Sequence, residues 1–138
     1  MSRSSDNFWY GKNVLITGGD GFVASNLAAA LIGRNANVVV TVRHQRPVST
    51  LKLLGLSDVV PDVEFSDLSD FLSVQKLCNR HQIDTIFHLA NIANDPSVDL
   101  NPYASWEVNV LAGMRLIDRA ARHGVNCVQY QIGYRLVQ

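Results

Sequence analysis

Apolar positions in this chain gather in short β-rich runs, separated by stretches whose apolar residues recur at helical spacing. Residues 13–17 (NVLIT) are short, apolar and bounded by glycines, the pattern of a strand covered on both faces. Residues 22–34 then place Phe22, Val23, Leu27, Leu31 and Ile32 at helical intervals. Residues 37–42 form a second β-branched run, 63–65 a weaker third, 85–89 (TIFHL) a fourth and 125–130 a fifth. Between them, residues 68–81 and 103–123 predict helices. The latter carries Trp106, Val110, Met114, Ile117 and Ala121 on one side, and Gly124 stands where a helix stop is expected.

Strands that alternate with helices pair in parallel through right-handed crossovers. The predicted fold class is α/β, a Rossmann-type doubly wound parallel sheet with helices on both faces. Its expected strand order is 3-2-1-4-5, with a ligand crevice at the carboxyl ends where the order reverses. A length of 138 residues suits one such domain over 1–138.

Composition narrows the partners. Twelve basic residues balance twelve acidic ones, so no basic stripe invites nucleic acid. The two cysteines, Cys78 and Cys127, stand in no ligand-like spacing and read as half-buried reduced thiols. No metal site is expected. The polar start of the chain has no apolar h-region, and no apolar run can cross a bilayer. The expectation is a soluble, cytoplasmic protein that engages no membrane.

The chemistry points to residues 17–24, Thr-Gly-Gly-Asp-Gly-Phe-Val-Ala, which leave a strand and open a helix. Gly18 permits the tight turn, Gly21 lets the backbone approach a pyrophosphate, and Ala24 is small enough for close helix–strand packing. The helix N-terminus then offers free N–H groups and partial positive charge to phosphates.

These residues resemble the TGxxGFxG signature of extended short-chain dehydrogenases/reductases, the group that holds nucleotide-sugar epimerases and dehydratases. Further matches follow in order. Ser66-Asp67-Leu68-Ser69-Asp70 resembles the acidic motif whose Asp contacts adenine. Phe87-His88-Leu89-Ala90 resembles the HLAA run beside the ribose and nicotinamide, with Asn91 in place of the second Ala. Asn101-Pro102 followed by Trp106-Glu107-Val108-Asn109-Val110 resembles the segment of the helix after the fourth strand. The opening Phe8-Trp9-Tyr10-Gly11-Lys12 is similar to the start of CDP-glucose 4,6-dehydratases. The similarity runs from about residue 8 to 128. It implies a dinucleotide site made of Gly18, Gly21, Phe22, Val23, Arg43, Asp67, Leu68, Leu89, Ala90 and Asn109.

NAD-selective members carry an acidic residue at the end of the second strand. Here that position is Val42, followed by Arg43, His44 and Arg46. A 2′-phosphate would find charge-assisted partners in Arg43 and Arg46. The stretch 38–44 also resembles GDP-mannose 4,6-dehydratases, which read NADP there. NADP is therefore expected over the alternative, NAD.

The resemblance further implies a general-base Tyr with a Lys four residues on, and a Ser or Thr after the fifth strand. The Ser/Thr position falls near Gln131-Ile132-Gly133. Tyr134 opens a Tyr-x-x-x pattern that closes on Gln138 rather than Lys, and it comes too early. His81, His88 and His123 lie on separate elements: His88 reads as a strand-end residue near the cofactor, His123 as a helix C-terminal cation. Asp95, Asp99 and Glu107 have no catalytic spacing. No catalytic residue is assigned.

The expected protein is a C-terminally truncated cofactor domain without its substrate domain. It binds NAD(P) and is inactive alone, with a nucleotide-sugar substrate only in an intact relative. Two alternatives stand: a non-catalytic dinucleotide-binding regulatory module, and a non-functional truncated product. Intact relatives often dimerise through the region that corresponds to residues 103–123, which leaves a homodimer open here.

Overall fold

Five short strands form one parallel sheet: β1 (Asn13–Thr17), β2 (Asn37–Val42), β3 (Asp62–Phe65), β4 (Thr85–His88) and β5 (Asn126–Gln129). Their order is β3-β2-β1-β4-β5, as the alternating pattern predicts. The computed structural model describes residues 8–43, 50–56, 62–65, 67–91 and 101–129. The helices are α1 (Phe22–Ile32), α2 (Thr50–Leu53), α3 (Phe71–Arg80), α4 (Pro102–Trp106) and α5 (Ala112–His123). Glu107–Leu111, between α4 and α5, is a π-helical segment.

Side chains alternate across β1, so its two faces feed two cores. Val14 and Ile16 pack with Ala24, Ala28 and Leu31 of α1 and with Leu51 of α2. Leu15 packs on the opposite face with Val74, Leu77 and Cys78 of α3 and with Ala112 and Leu116 of α5. Helices therefore cover both faces, the doubly wound arrangement expected. Among the described residues no helix is long and apolar enough to cross a membrane.

A polar seam closes the amino edge of the sheet. Asn37 Nδ2 donates to Asn13 Oδ1 at 2.9 Å, and the Asn13 N–H donates to Asp84 Oδ2 at 2.8 Å. These bonds support the register in which Thr17 lies opposite Thr41 of β2 and His88 of β4. The carboxyl ends of three strands are thereby level. The opening Phe8-Trp9-Tyr10 run is a turn whose Trp9 ring packs 5.9 Å from that of Phe87.

Several expectations shift. On α1, Phe22 is 77% exposed and Val23 is also exposed, while Ala24, Ser25, Ala28 and Leu31 are buried. The same happens on α5, where Ala112, Gly113, Leu116, Arg119 and Ala120 are buried and the bulky Met114 and Ile117 face outward, as does Trp106 at the end of α4. In both cases the buried face holds several small side chains, Ala24, Ser25 and Ala28 on α1 and Ala112, Gly113 and Ala120 on α5. Residues 68–70 lie in a turn rather than in α3, because the Asp70 carboxylate accepts the Ser73 N–H and sets the helix start at Phe71. α1 stops at Ile32, two residues early, on Gly33 and the left-handed Asn35 (φ 59°). α5 ends on Gly124 at φ 65°, the stop its glycine predicts. α2, only four residues long, has no periodicity to announce it. Cys78 is buried rather than half-buried, and burial pushes its thiol pKa up.

Candidate functional site

β1 leads directly into the turn 18–21 and then into α1. Gly18 has φ +71°, and a Cβ there would stand 2.8 Å from Ala90 Cα. No other residue type fits both the left-handed backbone and that approach. Gly19, to which the sequence reading assigned nothing, is equally constrained: its Cβ would fall 2.4 Å from Val40 Cβ. Its N–H also donates to the Thr41 carbonyl at 2.8 Å. A Cβ on Gly21 would meet only the Gly18 carbonyl oxygen, at 3.2 Å, so its outer side is open.

The buried Ser25 hydroxyl lies 3.0 Å from the Gly19 carbonyl and 2.7 Å from that of Gly21, drawing both acceptors inward. Gly21 is the N-cap of α1; no side chain caps the helix, and its first turn carries no acidic residue. The first amides of α1 thus keep their donor capacity at the carboxyl edge of the sheet. Asp20 turns aside, accepting the Thr50 N–H of α2 at 3.0 Å. Ala24 is buried in the α1 core, the role its size suggests.

On the other side, the turn is fastened to the end of β4. Thr17 Oγ1 lies 2.7 Å from His88 Nδ1, a buried pair. The same oxygen accepts the Leu89 and Ala90 N–H groups, each at 3.2 Å. His88 is 2% exposed, and burial holds its pKa below the usual imidazole value, with the Val108 backbone opposing the shift. Thr17 was not singled out from sequence; a hydroxyl on the last residue of a buried strand is the signal that marks it.

The remaining positions lie along the same edge. Arg43 follows β2 and is exposed. Asp67 is exposed and Leu68 buried in the turn before α3. The Asp67 carboxyl is held below its usual pKa by hydrogen bonds from Ser69, and the positive charge of Arg43 adds to this. Leu89 and Ala90 are half-buried beyond β4. Asn109 is half-buried on the π-helical segment. The structure brings Gly18 against Leu89 and Ala90, and Arg43 into electrostatic reach of Asp67. His123 closes α5 beside Arg122, where positive charge suits a helix C-terminus. His44, Arg46, Ser66, Asp95, Asp99, Tyr130, Gln131–Gly133 and Tyr134 lie outside the described residues. Among those described, no group of three His, Cys, Asp or Glu side chains could hold a metal.

Known proteins share this fold. The model of the NAD-dependent epimerase/dehydratase family matches residues 14–133. CDP-paratose 2-epimerase of Salmonella typhi is 32% identical over 117 residues, which is 83% of this chain and 34% of that protein. An epimerase from Methanothermobacter thermautotrophicus is 30% identical with a TM-score of 0.73, over 95% of this chain and 39% of that one. The NAD complex of Thermus thermophilus UDP-glucose 4-epimerase is 26% identical with a TM-score of 0.64, over 82% and 35% of the two chains. The chain spans about a third of the length of the curated relatives it matches. With 120 of its 138 residues inside the family match (133 − 14 + 1), the chain belongs to the NAD-dependent epimerase/dehydratase family.

Proposed function

We propose that this segment is the NAD(P)-binding part of a nucleotide-sugar epimerase or dehydratase. One observation carries the reading: the uncapped N-terminus of α1 opens from a glycine turn at the carboxyl edge of the sheet, where β1 lies between β2 and β4. Gly18, Gly21, Phe22 and Val23 would receive the pyrophosphate. Asp67 and Leu68 would lie at the adenine end, and Leu89, Ala90 and Asn109 toward the nicotinamide. When bound, the dinucleotide supplies a hydride acceptor; the chain's own residues hold and orient it. Val42 stands where a carboxylate would select NAD, and Arg43 follows it, which favours NADP. No Tyr-x-x-x-Lys occurs in the sequence, so we expect binding without turnover from this chain alone.

Thermal unfolding in the presence of NAD, NADP and their reduced forms tests this, because a ligand held only by the folded state raises its melting temperature. We expect NADP to give the larger rise, and Arg43→Asp to cut NADP affinity more than NAD affinity. No shift with any of the four rejects the reading; equal losses reject the NADP assignment alone.

A homodimer is the second reading. The exposed stripe Tyr103, Trp106, Val110, Met114 and Ile117 is a continuous apolar face that a second copy could cover.

A further inference from the structure

Two adjacent residues of the glycine turn hold the two ends of one segment. The Gly19 N–H donates to the carbonyl of Thr41, near the end of β2, at 2.8 Å. The carboxylate of the next residue, Asp20, accepts the N–H of Thr50, the first residue of α2, at 3.0 Å. The ends of segment 42–49 are thus fastened one residue apart on the turn. Each hold is specific. Gly19 lies so close to β2 that a Cβ would fall 2.4 Å from Val40 Cβ. Thr50 opens a helix, and the first N–H groups of a helix have no acceptor within it, so a group from outside must take that proton. Leu51, next along, is buried with Ala24, Ala28 and Leu31 of α1 and keeps α2 docked independently of Asp20.

Asp20 stands in an unfavourable place for an acid. A carboxylate beside a seat for diphosphate adds negative charge where an anion must bind. Its bond to Thr50 gives it a different task, at the base of the segment that begins with Val42 and the exposed Arg43. We propose that Asp20 is a positioning residue: through Thr50 it fixes the return of the segment that carries Arg43, and so sets how far the protein distinguishes a ribose 2′-phosphate from a 2′-hydroxyl. The discrimination rests on the functional reading above; the clasp of Gly19 and Asp20 on the two ends does not.

The test uses the whole chain: hydrogen exchange at the Thr50 amide without cofactor, read by NMR, and titration with NAD and NADP. In the wild type the Thr50 amide exchanges slowly. Asp20→Asn keeps an acceptor oxygen, and with it the slow exchange and the wild-type ratio of NADP to NAD affinity; a change shared by both cofactors reports the lost charge alone. Asp20→Ala frees the amide and lowers NADP affinity about tenfold, the scale of one hydrogen bond to a charged group, with a loss of no more than about threefold for NAD. Thr50→Pro removes the donor and leaves the carboxylate, and it shifts the ratio in the same direction, since proline is tolerated at the first position of a helix. A Thr50 amide that exchanges freely in the wild type overturns the proposal, and that measurement needs no variant. So does an Asp20→Ala chain that keeps the wild-type ratio. Either result leaves the dinucleotide reading untouched. Slow exchange that Asp20→Ala abolishes, in a chain that binds neither dinucleotide, would support the clasp while rejecting the functional reading.

Discussion

Gly18 and Gly55 share nearly the same left-handed backbone, φ +71° and +68°, but not the same surroundings. A Cβ on Gly55 meets nothing within 4 Å, whereas on Gly18 it meets the Ala90 backbone at 2.8 Å. Gly55→Ala should therefore cost only the backbone strain, about 1 kcal/mol. Gly18→Ala should cost that plus displacement of the β4 exit, about 2–4 kcal/mol in all. Urea midpoints of the two variants check the order; equal losses would show that the β4 exit yields freely. His88 gives a pH dependence. Its pKa is lowered by burial, so between the folded and unfolded values the unfolded chain binds more protons. Its contribution is whole above the unfolded value of 6.5 and is lost as pH falls from there toward the depressed folded value. Asp67 and Asp70, whose pKa values are also lowered, lose their contributions as pH falls below 3.8, at the acid end of such a scan. Unfolding midpoints across the window should fall with pH in the wild type and flatten in His88→Gln; an unchanged slope in the variant would assign it elsewhere.

At the scale of elements, α1 and α5 share a pattern: each buries a face that mixes small residues with a leucine, Leu31 on α1 and Leu116 on α5. Helical spacing alone marks a bulky apolar face as the buried one, and on α5 that would select Met114 and Ile117. The structure instead buries Ala112, Leu116 and Ala120 against Leu15 and Ile86. Leu116→Ala should then cost about 2–5 kcal/mol, while Met114→Ala, whose side chain is 62% exposed, should change stability by no more than about 0.5 kcal/mol. Chemical unfolding of the two variants compares them directly. If the outer stripe pairs two copies, Met114→Glu would yield a monomer by light scattering without lowering the unfolding midpoint of the isolated chain. A wild type that is already monomeric at high concentration would set the dimer aside.

At the scale of the molecule, three strands end level, and a turn with few side chains bridges them. Ligand linkage gives the sharpest expectation: dinucleotide at a hundred times its dissociation constant should add about 2.7 kcal/mol to the unfolding free energy. Much of this architecture was legible in the amino-acid order. Alternating β-branched and helical runs determine a parallel sheet and its strand order, because crossover handedness and short connections leave few other topologies. The glycine turn was legible too, since its first position, Gly18, takes a left-handed backbone that favours glycine. Other features were decided by the tertiary structure. Which face of α1 and α5 turns inward depends on how near each helix axis can come to the strands, a distance that periodicity does not encode. Gly19 is required by Val40, 21 positions away (40 − 19). Thr17 and His88 become partners only because β1 and β4 lie side by side in register, a contact across 71 residues that no local pattern announces.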